Sequence, residues 1–584
     1  MRNFFKIFFA CLLALVIFTV VAFFFFLAAL GGLSKKEKPL VTANSVLVLD
    51  LSQHFSEQLQ RDPLGFFSSD DRDVPGLYDV VRLIREAKTD KNIEGIYILA
   101  NGNSNSYAAS EEIRNAIQDF KTARKFVIAH GDIITQSAYS IANIADKVYV
   151  SPAGMLDWSG YSVEYLFLKG TLDKLEIEPQ IFYAGKFKSA TEPLRSDRMT
   201  DANKLQTTVW LNDLYADLLM KTSDARKIDT AALHQLANEG TIQTAKDAVE
   251  YKLVDAIKYD DEVKDEIKSR LNLGKYEKIS FITTSTYLAA GAIRDVKGEK
   301  IALIYAEGDI VDGRADQGTI GSENYRTLIR KARLDKSVKA IVFRVNSGGG
   351  SSLASENIWR ELTLAKKEKP VVVSFGDVAA SGGYYISCGA DSIFALPTTI
   401  TGSIGVFGIV PNLQNFFKNK AGITFDGVKT GPYADAGAAY RPLEENEKRM
   451  MQASVDLIYT QFKERVAEGR KKDTAYVDSI AQGRVWTGRR AREIGLIDRF
   501  GGLDDAIQCA ARMAKLENYR VSEYPEPQTF MEQIFGENRD PMNYAGKMKA
   551  EIGEDNYAIF QELKRVKEMS KGVQARIPFR FVVR

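Results

Sequence analysis

The chain has 584 residues, 45% of them hydrophobic and 26% charged, values that are typical of packed globular protein and argue against long disorder. This length predicts two or more domains. Lys and Arg number 78 against 76 Asp and Glu, so the net charge of +2 gives no indication of nucleic-acid binding. The three cysteines have no zinc-ligand spacing and form no disulfide framework, although a bridge from Cys388 to Cys509 is compatible with the sequence. We predict no metal site.

The N-terminus predicts a membrane anchor. From Ile7 to Leu30 the chain has 24 consecutive residues without a charge, and as a helix at about 1.5 Å per residue they would cross a bilayer core. A cleaved signal peptide is the alternative, but its apolar stretch normally has only about 7–15 residues. We therefore assign residues 1–40 to an uncleaved, single-pass anchor. Basic residues lie on both sides of the stretch, so charge does not decide its orientation.

The rest of the chain contains an internal duplication. LIREAKTDKNIEGIYILAN matches LIRKARLDKSVKAIVFRVN, and GDIITQSAYSIANIADKVYVSP matches GDVAASGGYYISCGADSIFALP, with the same offset of 245 positions. Within each copy, helical patterns alternate with short β-rich runs, as in parallel strands joined by crossover helices. We predict two α/β domains, at residues 41–297 and 298–525. Residues 526–584 have no counterpart in the first copy, so we assign them to a C-terminal extension and expect no chemistry there.

The second copy has features of a nucleophilic site that the first copy lacks. One of its strands ends in VNSGGGSS and another ends in SFGDVAASGGYY, whose small residues begin a helix. Ser381 at this turn is predicted to be a nucleophile, and amides of Gly382 and of Gly349 or Gly350 are predicted to form an oxyanion hole. A helix N-cap is the alternative for Ser381. For the glycine run the alternative is a flexible turn, and a P-loop is excluded because no Gly-Lys-Ser/Thr follows. Gln136 stands opposite Ser381 in the first copy, which therefore cannot act as a second nucleophilic centre.

A lysine is the predicted base. All three histidines lie in the first half, and His130 is best interpreted as a buried or edge residue. Lysine can act as a base when burial lowers its pKa. Aligning YAGKFKSATEPL with KTGPYADAGAAYRPL places Lys188 opposite Ala434. The first copy thus keeps the lysine and lacks the serine, whereas the second copy keeps the serine and lacks the lysine. We predict Lys188 as the general base. Lys186 is its rival, and it is expected to face outward if the segment is extended.

The segments AASGGYY, VNSGGGS, TGSIGVFG and KFKSATEP resemble the signal peptide peptidase A family, also called protease IV, in its long, duplicated bacterial form. The resemblance implies tandem domains with a fold similar to the Clp protease and crotonase superfamily, a Ser–Lys dyad and no cofactor. By motif, Ser381 would be the nucleophile, Lys188 the general base, and Ser403 of TGSIG the residue that orients the lysine amine.

The resemblance also implies a cellular setting. The chain would be a single-pass protein of the bacterial inner membrane, with its N-terminus in the cytoplasm and its catalytic part on the periplasmic side. It would assemble as a homotetramer. Its substrates would be remnant signal peptides and other unfolded peptides.

Two other functions are compatible with such a fold. An acyl-CoA hydratase or isomerase would use paired backbone amides to stabilise a thioester enolate, but this chemistry needs no serine and does not fit a membrane anchor. A scaffold or chaperone would keep the fold without catalysis. Labelling by a fluorophosphonate probe that is lost in Ser381→Ala would separate the peptidase from both.

Overall fold

The computed structural model describes most of the chain. The described residues are 2–33, 38–60, 73–293, 297–316, 318–526, 569 and 572–577. Helix α1 (Arg2–Leu33) precedes the two copies. Within the described ranges, no helix combines the length and the apolar character that crossing a membrane requires.

The first copy is built on a six-stranded parallel sheet. Its elements in chain order are β1 (Ser45–Asp50), α2 (Leu77–Thr89), β2 (Ile93–Leu99), α3 (Tyr107–Lys121), β3 (Phe126–Ile134), α4 (Gln136–Ala142), β4 (Lys147–Leu156), α5 (Lys169–Lys174), β5 (Glu178–Ala184), a 3-10 turn (Ser189–Thr191), α6 (Glu192–Arg195), α7 (Asp201–Arg226), α8 (Thr230–Asn238), α9 (Ala245–Glu250), β6 (Ala256–Ile257), α10 (Asp260–Arg270), β7 (Ser280–Thr283) and α11 (Thr284–Ala289). The strand order is β6-β4-β3-β2-β1-β7. Strands such as β2 are apolar and mostly buried, because helices cover both faces of a parallel sheet.

The second copy repeats this plan in an eight-stranded sheet. Its elements are β8 (Glu299–Glu307), β9 (Asp309–Val311), β10 (Thr319–Gly321), α12 (Ser322–Leu334), β11 (Val338–Ser347), β12 (Gly349–Ser351), α13 (Ser352–Lys366), β13 (Val371–Ala380), α14 (Gly382–Ser387), β14 (Ser392–Ala395), β15 (Ile400–Gly402), β16 (Val406–Asn412), a π-helical segment (Phe416–Ala421), α15 (Glu445–Arg470), α16 (Thr474–Ile480), β17 (Val485–Thr487), α17 (Gly488–Glu493), β18 (Arg499–Phe500), α18 (Leu503–Met513), β19 (Tyr519–Tyr524) and, near the C-terminus, β20 (Gln574–Arg576). The main strand order is β17-β15-β13-β11-β8-β19, with β14 paired to both β13 and β18. The succession β13-α14-β14 matches β3-α4-β4 of the first copy, as the duplication predicts. Cys388 and Cys509 are both buried and free, so they form no bridge.

A third sheet interleaves the two copies. Its order is β10-β9-β12-β20-β16-β5. Strand β5 leaves the first copy and pairs antiparallel with β16 of the second copy along seven residue pairs, from Val406 with Ala184 to Asn412 with Glu178. Strand β20 lies between β12 and β16. The expectation of a C-terminal appendage is therefore wrong for this strand, which is too short to show a sequence pattern and is defined by its partners.

A buried ion-pair cluster also connects the copies. The guanidinium of Arg344 on β11 is 1% exposed and lies 2.9 Å from the carboxylate of Glu57 and 2.6 Å from that of Glu112. Nearby, Asp377 accepts a hydrogen bond from the backbone of Ala109 at 2.9 Å. Burial raises the pKa of Glu57 and of Asp377, while the positive charge of Arg344 opposes the rise. Separating the copies would leave these buried charges unpaired, which is costly. The cluster therefore stabilises the packing of one copy against the other.

Candidate active site

Ser381 lies at the turn between β13 and α14. Its backbone has φ 55° and ψ −114°, a left-handed conformation that is costly for a residue with a Cβ, and its amide donates to the carbonyl of Gly402 at 2.8 Å. The turn is tightly packed, because a Cβ added to Gly383 would lie 2.5 Å from the carbonyl oxygen of Ser347. Although Ser381 occupies the N-cap position, its side chain makes no capping hydrogen bond. The N-cap interpretation is therefore wrong, and Oγ is available to another group.

That group is the amine of Lys188. Its Nζ lies 2.9 Å from Oγ of Ser381, 3.1 Å from Oγ of Ser403 and 3.2 Å from the carbonyl oxygen of Ser403. Lys188 is 1% exposed and Ser381 is fully buried. Burial lowers the pKa of Lys188 well below its ordinary value, and within the described part of the chain no carboxylate opposes this. The amine is therefore favoured in its neutral form, with both hydroxyls from the second copy around it.

Ser403 holds the amine with two groups. It follows β15 with φ 51°, and its amide donates to the carbonyl of Arg484 at 2.7 Å. This left-handed turn brings both its carbonyl and its hydroxyl to Lys188. A neutral amine has two N–H donors and one lone pair, which match two acceptors on Ser403 and the hydroxyl proton of Ser381.

Two residues that sequence reasoning missed position Lys188. Gly483 has φ 73°, and a Cβ added there would lie 2.7 Å from the backbone nitrogen of Lys188. Gln206 on α7 is fully buried. Its side-chain Nε2 donates to the carbonyl of Phe187 at 3.1 Å, and its Oε1 accepts from the backbone amide of Val485 at 3.1 Å. Comparing the copies for differences overlooks Gly483, because Gly240 stands opposite it in the first copy and is also left-handed.

The predicted oxyanion glycines come together beside Ser381. Gly349 has φ 98°, and a Cβ added there would lie 2.6 Å from the amide nitrogen of Gly382 and 2.0 Å from the carbonyl oxygen of Ala575. Gly350 pairs with Ala575 of β20. The glycine run is thus an ordered strand and not a flexible turn. Residues 572–577, which we expected to be remote from chemistry, lie directly against it.

The alternative residues lie elsewhere. The side chain of Gln136 is buried and donates to the carbonyl of Gly160 at 2.8 Å. The position opposite Ser381 therefore has no nucleophilic side chain. Ala434 is exposed, as is Lys186, whereas Lys188 two residues further on is buried. The Nε2 atom of His130 lies 3.3 Å from the carbonyl oxygen of Lys258 within the first copy, which agrees with its interpretation as a buried residue.

Comparison with known proteins finds relatives along most of the chain. The model of peptidase family S49 matches twice, at residues 119–274 and 363–517. The chain is similar to Protease 4 of Salmonella typhi, with 37% identity over 84% of this chain and 82% of the relative. It is also similar to Protease 4 of Haemophilus influenzae, with 34% identity over 82% and 80% of the two chains. Serine protease SPPA, chloroplastic, of Arabidopsis thaliana is 32% identical over 84% and 72%.

A solved structure of a ClpP1 mutant from Listeria monocytogenes matches 35% of this chain and 94% of its own, with a TM-score of 0.24 and 13% identity. These values are too low to argue from, so the likeness to Clp protease and crotonase stays a prediction. The family matches, in contrast, cover both copies and most of the chain. The chain therefore belongs to peptidase family S49, in the long form with two copies of the family unit, and it is a serine peptidase.

Proposed function

We propose that the chain hydrolyses peptide bonds with Ser381 as nucleophile and Lys188 as general base. The contact that supports this most directly is the distance of 2.9 Å between Nζ of Lys188 and Oγ of Ser381, both of which are buried. A lysine is a weak base while it is protonated, so its burial is what makes it competent near neutral pH. Both residues belong to one chain, and each comes from a different copy.

The residues present account for each proton in the reaction. As Oγ of Ser381 attacks the substrate carbonyl, neutral Lys188 takes the hydroxyl proton. The amides of Gly382 and of Gly349 or Gly350 stabilise the oxyanion that develops. The protonated lysine then donates to the leaving amine. In the second half a water attacks the ester and gives its proton to Lys188, which returns the proton to Oγ of Ser381 as the ester bond breaks. Ser403 holds the amine in position throughout.

The proposal extends to the substrate and the setting. The family resemblance supports remnant signal peptides and other unfolded peptides as substrates. The 24 uncharged residues from Ile7 to Leu30 support a single-pass anchor. The family resemblance supports its location in the inner membrane with the catalytic part outside. The family resemblance supports a homotetramer, which mass photometry of the detergent-solubilised protein would test.

Fluorophosphonate labelling tests the dyad. Ser137 is a serine of the first copy that stands opposite Gly382, so Ser137→Ala is a matched control. We expect both the parent protein and this variant to be labelled and to hydrolyse a quenched fluorescent peptide. Ser381→Ala should lose both properties, and Lys188→Ala should lose turnover with unchanged assembly. Labelling that survives in Ser381→Ala would contradict the assignment of the nucleophile. A parent protein that is neither labelled nor active would favour a scaffold or a hydratase.

A further inference from the structure

The segment that carries Lys188 rests on a short stretch of the second copy. A Cβ added to Gly483 would lie 2.7 Å from the backbone nitrogen of Lys188. The next residue, Arg484, accepts a hydrogen bond at its carbonyl from the amide of Ser403 at 2.7 Å. Two consecutive residues of the second copy therefore touch the proposed general base on one side and the residue proposed to orient it on the other.

The side chain of Arg484 lies between two aromatic rings that come from different copies. Its guanidinium carbon is 5.1 Å from the centre of the Phe187 ring and 4.2 Å from the centre of the Trp486 ring. Phe187 directly precedes Lys188 in the chain. A guanidinium is flat and stacks on aromatic faces, which the compact ammonium of a lysine does less well. The side chain of Arg484 thus packs directly against the segment that carries the amine.

Arg484 differs from the two arginines that follow it. Arg489 pairs with Asp217 at 3.5 Å and Arg490 with Asp213 at 2.6 Å, so both connect the copies by charge. Among the described residues, in contrast, Arg484 forms no ion pair, and its buried Nε has no hydrogen-bond acceptor. Burial and the positive charge of Arg490 lower its pKa, and no carboxylate opposes them within that part of the chain. The contacts of this side chain are therefore the two rings.

The internal duplication gives a second, independent indication. One residue past the glycine that both copies share, Thr241 stands opposite Arg484, and two residues further on Gln243 stands opposite Trp486. The first copy therefore lacks both the arginine and its ring. They occur only in the copy against which the segment with Lys188 packs, as expected if their purpose is to hold that segment.

We propose that Arg484 is a positioning residue for the general base, whose stack on Phe187 keeps the amine of Lys188 shielded from water and within reach of Ser381. This inference rests on the proposed function and adds a residue to it. Arg484 acts through Phe187 and not on the reacting atoms. When the stack is removed, the segment shifts and water reaches the amine, so the pKa of Lys188 rises towards its ordinary value.

The pH profile of kcat/KM tests this role. In the parent, kcat/KM should rise with pH through the lowered pKa of Lys188. In Arg484→Met this rise should move upward by about one pH unit, and kcat should fall about tenfold with little change in KM, because a shift of the amine affects the reaction more than binding. Arg484→Lys keeps the charge but not the flat group, so it should behave like Arg484→Met.

Two substitutions of the ring provide the same test if Arg484→Met does not fold. Phe187→Leu removes the ring and should show the same shift of the pH profile, whereas Phe187→Tyr keeps the ring and should keep the parental profile. Coinciding profiles of Phe187→Leu and Phe187→Tyr would overturn the proposal, as would a profile of Arg484→Met that coincides with that of the parent.

Arg489→Met is the matched control, because it removes a neighbouring arginine that also contacts the first copy. A loss of stability alone would lower the activity of either variant without moving its pH profile. A shift in Arg489→Met as large as that in Arg484→Met would therefore overturn the positioning role. A parent enzyme whose kcat/KM does not rise with pH would instead overturn Lys188 as the base, and with it the proposed function on which this inference rests.

Discussion

Lys188→Met tests two properties of the amine separately, namely its role in catalysis and the destabilisation that its burial causes. Methionine has a similar length and suits the buried position, but it cannot take a proton. Since general-base catalysis contributes about 10²–10⁴-fold, we expect kcat to fall by at least that range. Lys186→Met is the matched control, because this neighbouring lysine is exposed and its loss should leave turnover unchanged.

The same variant should change how stability depends on pH. Burial lowers the pKa of Lys188 in the folded state, whereas an unfolded lysine titrates near about 10.4. Between these two pKa values the unfolded chain binds a proton that the folded chain does not, so stability rises with pH by about 1.4 kcal/mol per unit. Methionine contributes no such slope. From pH 7 to pH 9 the parent should therefore gain up to about 2.7 kcal/mol relative to Lys188→Met.

Urea unfolding of the parent, Lys188→Met and Lys186→Met at pH 7, 8 and 9 would measure this gain, since the other ionisable groups cancel in the differences. In parallel, kcat/KM of the parent should rise with pH through the lowered pKa of Lys188 and then level off. The reasoning fails if the stability difference between the parent and Lys188→Met stays constant with pH. It also fails if this variant keeps more than about a tenth of the turnover.

Three further substitutions test the surroundings of the dyad and the junction of the copies. Ser403→Ala removes one of two contacts to the amine, so steady-state kinetics should show kcat about tenfold lower with KM unchanged, and an unchanged kcat would argue against its orienting role. Gly483→Ala places a Cβ 2.7 Å from the backbone of Lys188 and should lower kcat about 100-fold, whereas Gly240→Ala, where nothing lies within 4 Å, should stay active. Arg344→Met leaves two buried carboxyls unpaired and should cost about 3–5 kcal/mol in thermal or urea unfolding. That loss should grow from pH 5 to pH 8, because burial raises the pKa of Glu57 and so opposes its ionisation in the fold. A variant as stable as the parent would contradict this expectation.

The dyad was accessible to sequence reasoning because the duplication supplies an internal comparison. Where the two copies differ, one keeps Lys188 and the other keeps Ser381, and the structure brings both side chains together with Ser403. The family and the serine-peptidase class are confirmed by the comparisons. The membrane anchor, the tetramer and the catalytic roles stay predictions.

The features that were missed depend on contacts between distant segments. Strand β20 has three residues, too few for a periodic pattern, and its place is set by pairing with Gly349–Ser351. Gln206 sits on an ordinary helix, and only the folded chain shows that it binds the segment that carries Lys188. Gly483 was missed because the first copy also has a glycine, Gly240, at the matching position. Local patterns thus pointed to Lys188, Ser381 and Ser403, but not to the more distant residues that pack against them.

The pairing of β5 with β16 of the other copy has a consequence for the evolution of the gene. Because the segment after β5 brings Lys188 into the sheet of the other copy, the two halves of the gene are no longer interchangeable, although they descend from one unit. Recombination that replaced either half by its sibling would yield a chain with two lysines or two serines and no working pair. If Lys188 and Ser381 act as proposed, the two units share one centre, so the loss of either unit would remove half of it.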